Sequence, residues 1–97
     1  MSKNSPKEIR GRVVQIIGPV IDISFEEAVG AGAELPAIHD SVEILRPDGK
    51  RLITEIQQHI GECAVRTVAM DSTDGLCRGV EALSHYAPIS MPVGEQI

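Results

Sequence analysis

Short runs rich in valine and isoleucine, each bounded by turn-forming residues, recur along the chain. Six of them are strand candidates: "IRGRVVQIIG", "VIDISF", "SVEIL", "RLITEIQQHI", "CAVRTVAM" and "PISMPVG". Apolar and polar residues alternate in most of these runs, and no stretch longer than a turn or two has the periodicity of a helix. Turns separate the runs, most clearly at Gly18-Pro19, "RPDGK" and "DSTDG". This pattern predicts an all-β fold.

The second run, "VIDISF", carries apolar residues on both faces, which is typical of a strand buried on two sides in a small closed barrel. The chain has 97 residues, enough for one small domain. Because Phe25 and Tyr86 are its only aromatic residues, valine, isoleucine, leucine and alanine must fill the core. We therefore predict a closed six-stranded β-barrel over residues 9–92, preceded by a frayed polar terminus at residues 1–8 and interrupted by a loop at residues 26–40.

The charge of the chain argues against nucleic-acid binding. Its formal net charge is −5, whereas binding to phosphate backbones needs a basic surface. Two aromatic rings are also too few to stack a single strand of bases. No secretory leader is visible in "MSKNSPKEIR", and "VVQIIGPVI" is too short to cross a bilayer, so we expect no direct membrane insertion. We expect the two cysteines to remain thiols.

The candidate phosphate-binding and zinc-binding residues lack the spacing that those motifs require. A P-loop requires a lysine after two spaced glycines, but Gly49-Lys50 is followed by Arg51, and Lys3 and Lys7 follow no glycine. The candidate zinc ligands have spacings of four, fourteen and eight residues, which do not match a zinc knuckle: His59, Cys63, Cys77 and His85. The sequence therefore predicts neither site.

The stretch "MDSTDG" admits a calcium-loop or a turn interpretation. Calcium loops place oxygen ligands at alternate positions and add a later bidentate glutamate, whereas here Asp71 and Asp74 are three residues apart. We expect instead a structural turn in which Asp71 accepts backbone N–H groups and Gly75 is left-handed.

Two catalytic arrangements remain possible on residue type alone. Cys63 or Cys77 could act as a nucleophile with His59 as its base, and Asp71 with Asp74 could perform acid–base chemistry. A barrel filled by its own side chains offers no room for a substrate, so structural roles are preferred.

Two arginines near the same turn have open roles. Arg66 and Arg78 are either solvated, or paired with a carboxylate on the barrel or across a subunit boundary.

Several segments together resemble the N-terminal region of the F-type ATP synthase β subunit. They are "GRVVQIIGPVIDISF" (residues 11–25), "ELPAIHDSVEI" (34–44), "QQHIGECAVRTVAMDSTDGLCRG" (57–79) and "APISMPVGE" (87–95). Within that family, "RTVAMDSTDGL" is specific to the β subunit. The chain departs from the family in a longer loop at residues 26–34 and in Tyr86, which stands where a glycine is usual and would be strained if that position had positive φ.

The resemblance implies a six-stranded crown barrel that alternates with barrels of α subunits in a hexamer. That hexamer belongs to a complex that makes ATP from ADP and phosphate with a proton gradient, and Mg-ATP or ADP binds to later domains of the intact subunit. Residues 93–97 would begin the linker to those domains, so we expect an isolated domain or a truncated product with no catalytic, cofactor-binding or metal residues of its own.

By the same resemblance, the complex would lie on the cytoplasmic face of the cell membrane. The absence of a transit-like leader favours a bacterial or organelle-encoded origin, and of the two we expect a bacterial one. A small independent enzyme and an oligonucleotide-binding barrel remain as alternative hypotheses.

Overall fold

Six antiparallel strands close into one barrel. The computed structural model describes residues 8–88 of the chain. Its elements are β1 (Ile9–Ile17), β2 (Val20–Ser24), α1 (Glu26–Gly30), β3 (Asp40–Leu45), β4 (Arg51–His59), β5 (Ala64–Ala69) and β6 (Glu81–Pro88). The strands follow the order β1-β2-β5-β4-β3-β6 around the barrel, and β6 pairs again with β1. The predicted closed six-stranded β-barrel is confirmed.

One face of every strand points inward, and the side chains on these faces fill the barrel interior. Side-chain alternation places Ile9, Gly11 and Val13 of β1 inside and their neighbours outside, and a register shift between Val13 and Gln15 then turns Ile16 towards the core. The buried apolar set consists of Ile9, Val13, Ile21, Ile23, Phe25, Val42, Ile44, Leu52, Ile56, Val65 and Ala82. As the composition predicted, aliphatic residues supply nearly all of this core.

Two buried threonines also point inward, and each is hydrogen-bonded. The Thr67 hydroxyl donates to the Ile21 carbonyl at 2.8 Å, and the Thr54 hydroxyl donates to the Val42 carbonyl at 3.0 Å. Both carbonyls belong to a neighbouring strand, so these bonds add to the pairing of β5 with β2 and of β4 with β3.

Phe25, the largest buried side chain, depends on a glycine opposite it. A Cβ atom at Gly11 would lie 2.7 Å from the Phe25 ring and 2.6 Å from the Ser24 carbonyl oxygen. The ring therefore occupies the space that a side chain at position 11 would need.

Some local predictions were wrong. The sixth strand is Glu81–Pro88, whereas we placed it at "PISMPVG", of which all but the first residue lies outside the described part of the chain. The 26–40 loop begins with the short helix α1. β2 is buried on both sides at residues 21–23, as expected for "VIDISF", but its outward buried residue is the charged Asp22 rather than an apolar one.

The remaining structural predictions concern Tyr86, the two ends of the chain and membrane insertion. Tyr86 lies within β6, and among the described residues other than glycine only His39 has positive φ, so Tyr86 carries no such strain. The frayed terminus, apart from Glu8, and the linker at residues 93–97 lie outside the described residues. Of residues 8–88, the single helix has five residues, too few to cross a bilayer.

Candidate interaction surface

Four adjacent strands share a group of apolar side chains on the outer face of the barrel. The register aligns Ile17 with Val20 and Val20 with Val68, while the Met70 N–H donates to the Ile53 carbonyl at 2.9 Å. Met70 follows Val68 by two residues, so both face outward. We call this group the apolar patch: Ile17, Val20, Ile53, Val68 and Met70. Ile17 is 58% exposed and Met70 50% exposed, so the patch is open to solvent.

An ion pair lies directly beside the apolar patch. Asp22 and Arg66 are register partners on β2 and β5, two residues along from Val20 and Val68. Arg66 donates from Nε to Asp22 Oδ1 at 3.0 Å and from Nη2 to Oδ2 at 3.2 Å. This hydrogen bonding, together with the negative charge of Asp22, raises the pKa of Arg66. The sequence left the role of Arg66 open, and the structure assigns it a carboxylate partner within the barrel.

The opposite side of the barrel carries a chain of ion pairs. His85 on β6 lies with Nδ1 3.3 Å from Glu8 and Nε2 3.5 Å from Glu43, and Glu43 in turn accepts a hydrogen bond from Arg51. We call Glu8, His85, Glu43 and Arg51 the ion-pair chain. It links the residue before β1 with β6, β3 and β4.

The "DSTDG" segment forms the predicted structural turn. Asp71 Oδ1 accepts the Ser72 N–H at 2.7 Å, and the Ser72 hydroxyl accepts the Asp74 N–H at 3.1 Å. Gly75 has φ of 79°, in the left-handed region. The local geometry therefore confirms the turn interpretation of this segment.

Arg46 reinforces that turn from a distant part of the sequence. Its guanidinium donates from Nη1 to the Ser72 carbonyl at 3.2 Å and from Nη2 to the Asp74 carbonyl at 2.6 Å. The Thr73 hydroxyl donates to the Gly18 carbonyl at 3.2 Å. Three loops therefore meet at one end of the barrel. No local sequence pattern predicts this role of Arg46, because its contacts are 26 and 28 residues away.

The residues of the cysteine–histidine hypothesis have other partners. His59 Nε2 lies 2.7 Å from the Pro36 carbonyl oxygen, which can only accept, so this nitrogen is a donor. Cys63 is half-buried, and Cys77 is exposed with its Sγ 3.9 Å from the Gly75 carbonyl. Within residues 8–88, no three histidine, cysteine or acidic residues are grouped so that they could hold a metal ion.

Two further predicted positions lie in exposed loops. Gly49 and Lys50 belong to the β3–β4 hairpin, where Gly49 has φ of 89° and the Lys50 N–H donates to Asp48 Oδ1 at 2.9 Å. Arg78 is exposed and forms no ion pair with any of residues 8–88.

A shallow groove of about 610 Å³ runs beside β1 on the outer surface. Arg10 and Arg12 line it together with Glu26, Glu27 and Glu81, and Arg10 is paired with Glu81 at 2.8 Å. Because acidic side chains outnumber basic ones here, the groove lacks the concentrated positive charge that a phosphate ligand needs.

The greater part of the chain matches the model of a known family. The model of the "ATP synthase alpha/beta family, beta-barrel domain" matches residues 13–84. The match begins inside β1 and ends inside β6, so it includes the apolar patch, the Asp22–Arg66 pair and the "DSTDG" turn.

Proposed function

Since the chain belongs to the ATP synthase alpha/beta family, we propose that it is the N-terminal barrel of a β subunit of F-type ATP synthase. In this proposal, its barrel alternates with α-subunit barrels and holds the α/β hexamer together at the crown. The assembled complex makes ATP from ADP and phosphate with a proton gradient. This 97-residue chain is itself non-catalytic, and Mg-ATP or ADP binds in other domains of the intact subunit.

The apolar patch is the observation that carries the proposal. The core residues of the barrel are almost completely buried, so the interior holds packed side chains rather than a ligand. Functional contacts are therefore expected on the outer surface, where apolar side chains cluster on four adjacent strands. Exposed apolar clusters of this kind mark protein–protein contacts. An assembly role fits this surface better than a reaction does.

The choice of the β rather than the α subunit rests on the segment Arg66–Leu76, "RTVAMDSTDGL". Its first part, residues 66–69, lies in β5, where Val68 contributes to the apolar patch and Arg66 lies beside it, and Met70, the next member of the patch, directly follows the strand. Its second half is the turn that Arg46 holds. Both halves of the segment therefore have structural roles, as we expect for an assembly module. As part of the same proposal, the complex lies on the cytoplasmic face of a bacterial membrane.

Mixing experiments test this function. The chain alone and the chain co-expressed with an α-subunit barrel of the same family are compared by size-exclusion chromatography with light scattering. We expect the chain alone to be monomeric or weakly associating, and the pair to form a mixed species. An unrelated acidic barrel of similar size serves as the control partner.

Nucleotide binding supplies the second arm of the test. Titration of Mg-ATP into the chain, followed by calorimetry, is expected to give no binding and no hydrolysis. Micromolar binding of Mg-ATP to this chain, or failure to form any mixed species with an α-subunit barrel, would contradict the proposal.

A further inference from the structure

We propose that His85 is a proton-sensitive link on the outer face of the barrel, which binds both Glu8 and Glu43 in its charged form and only one of them in its neutral form. The inference concerns the middle of the ion-pair chain, where one imidazole lies between two carboxylates. It goes beyond the proposed function, because it describes how acidity acts on this barrel whichever partner the barrel has.

The position of His85 on β6 places one carboxylate on each side of its ring. β6 lies between β1 and β3 in the barrel. The register aligns Ser84 with Ile9, so Glu8 lies next to His85 on the β1 side. Glu43 lies on the β3 side. Nδ1 of the imidazole is 3.3 Å from Glu8 Oε1, and Nε2 is 3.5 Å from Glu43 Oε2.

Two acceptors on opposite sides of one imidazole require two donors. An ionised carboxylate only accepts hydrogen bonds, a neutral imidazole carries one N–H group, and an imidazolium carries two. A neutral His85 would therefore point a nitrogen lone pair at either Glu8 or Glu43. The charged ring donates to both, and these contacts are then charge-assisted. Only the protonated side chain satisfies the whole arrangement.

The link acts where the barrel closes, because β1 and β6 are its first and last strands. Arg10 and Glu81 form a second ion pair across the same two strands, at 2.8 Å. Arginine and glutamate side chains ordinarily keep their charges between about pH 5.5 and about pH 8. Histidine side chains titrate within that interval. Of these two contacts between β1 and β6, the one made by His85 is therefore the proton-dependent one.

Other charges on this side of the barrel do not supply the same dependence. Glu43 also accepts a hydrogen bond from Arg51, and Asp40 accepts the Ala37 N–H at 3.0 Å. Because histidine is the side-chain type that titrates near neutrality, the contact should be present at the acid end of the interval and lost as the pH rises. The charged neighbours of His85, strand by strand, are Glu8 and Arg10 on the β1 side, Glu81 on β6, Asp40 and Glu43 on β3, and Arg51 on β4.

Amide hydrogen exchange of the 97-residue chain tests the link at about pH 5.5 and about pH 8, with rates corrected for the intrinsic effect of pH on exchange. The reporter amides lie in residues 9–12 and 81–84, where β1 pairs with β6, and residues 64–69 of β5 are the internal reference. His85→Gln retains a side-chain donor but cannot take up a proton.

The matched control is His39→Asn. His39 is also a histidine beside a glutamate, but it pairs with the single carboxylate of Glu55. Its backbone has φ of 79°, which asparagine tolerates better than most residues. A second variant, Glu8→Gln, removes the carboxylate on the β1 side and leaves the histidine in place.

We expect the reporter amides of the unsubstituted chain to exchange about twofold to fivefold faster at the higher pH, relative to β5, as is typical of the loss of a partly exposed ion pair. His39→Asn should retain this difference, His85→Gln should lack it, and Glu8→Gln should reduce it.

Equal relative exchange at both pH values in the unsubstituted chain would overturn the inference, because the pairing of β1 with β6 would then be independent of the proton. A difference that persists in His85→Gln, or that disappears in His39→Asn, would assign the effect to another group. Faster exchange at the lower pH would contradict the sign. Each of these results leaves the proposed function standing, since its test is association with an α-subunit barrel.

Discussion

Asp22 and Arg66 face each other across β2 and β5, and their exposure differs sharply. The carboxylate of Asp22 is bound at two points, at 3.0 and 3.2 Å, and its side chain is 7% exposed, whereas the side chain of Arg66 is 41% exposed. The nearly buried negative charge of Asp22 is therefore stabilised by an arginine that remains accessible to solvent at the border of the apolar patch. Burial of an ionised group is tolerated when its partner is in place.

Replacing both members of the Asp22–Arg66 pair should restore some of the stability that is lost when Arg66 alone is replaced. Arg66→Met leaves a buried carboxylate without its partner, so we expect a clear fall in melting temperature. Asp22→Leu combined with Arg66→Met replaces both groups with apolar side chains, and this double variant should be more stable than Arg66→Met alone. Thermal unfolding, monitored by circular dichroism, gives the melting temperatures of the unsubstituted chain and of the two variants. A double variant less stable than Arg66→Met would contradict this account.

The pH dependence of this pair follows from the raised pKa of Arg66, caused first by the hydrogen bonds to Asp22 and then by its charge. A raised pKa in the folded state gives stability that is complete below the pKa of the unfolded state and is lost as pH rises through the folded-state value. For an arginine that window is strongly alkaline. We therefore expect the arginine side of this pair to contribute no pH dependence near neutrality.

The positions of the strands show which parts of the fold local sequence can predict. The "RPDGK" hairpin and the "DSTDG" turn follow from residues within a few positions of one another, and both predictions hold. β6 was misplaced because its inward residues Ala82 and Ser84 are small and lack an apolar alternation. They are inward because Ile44 and Val42 on β3 oppose them, and that pairing is set by the closed barrel rather than by neighbours in sequence.

The candidate interaction surface was less predictable than the fold. Alternation in the run "CAVRTVAM" made the outward positions Val68 and Met70 recognisable, although β5 itself ends at Ala69. Their assembly with Ile17 into one patch depends on the order of strands around the barrel. The partners of Arg66 and Arg46 are 44 and up to 28 residues away, and no local pattern specifies contacts at that range.

Gly11, the glycine of β1, should be sensitive to substitution for steric reasons. In Gly11→Ala the new Cβ would meet the Ser24 carbonyl oxygen at 2.6 Å and the Phe25 ring at 2.7 Å. We expect a loss of about 1–3 kcal/mol, as is usual for overpacking in a filled core. Gly30→Ala is the matched control, because no atom lies within 4 Å of its new Cβ, and it should leave stability unchanged or raise it. Urea unfolding compares the two, and equal stabilities would refute the close contact.

Arg46 should hold the "DSTDG" turn without contributing much to the barrel core. Arg46→Ala removes the donors to the Ser72 and Asp74 carbonyls, and Arg46 is not itself a member of the core cluster. We expect faster amide hydrogen exchange in residues 71–76, with exchange in the paired strands nearly unchanged. Lys50→Ala, in the same hairpin, is the control. Unchanged exchange in the turn of Arg46→Ala would show that the turn is stable without this arginine.

The two cysteines should react with a thiol reagent according to their exposure. Cys77 is exposed in the β5–β6 loop, whereas Cys63 is half-buried before β5. His59, the base that a reactive Cys63 would need, instead donates to the Pro36 carbonyl. We therefore expect Cys77 to be labelled first at neutral pH and Cys63 more slowly, neither faster than free cysteine. Mass spectrometry of the labelled peptides gives the labelling rate of each cysteine. The variants Cys77→Ser and Cys63→Ser show which cysteine accounts for each kinetic phase of labelling. Labelling of Cys63 well ahead of free cysteine, and its loss in His59→Gln, would instead favour the hypothesis of a small independent enzyme.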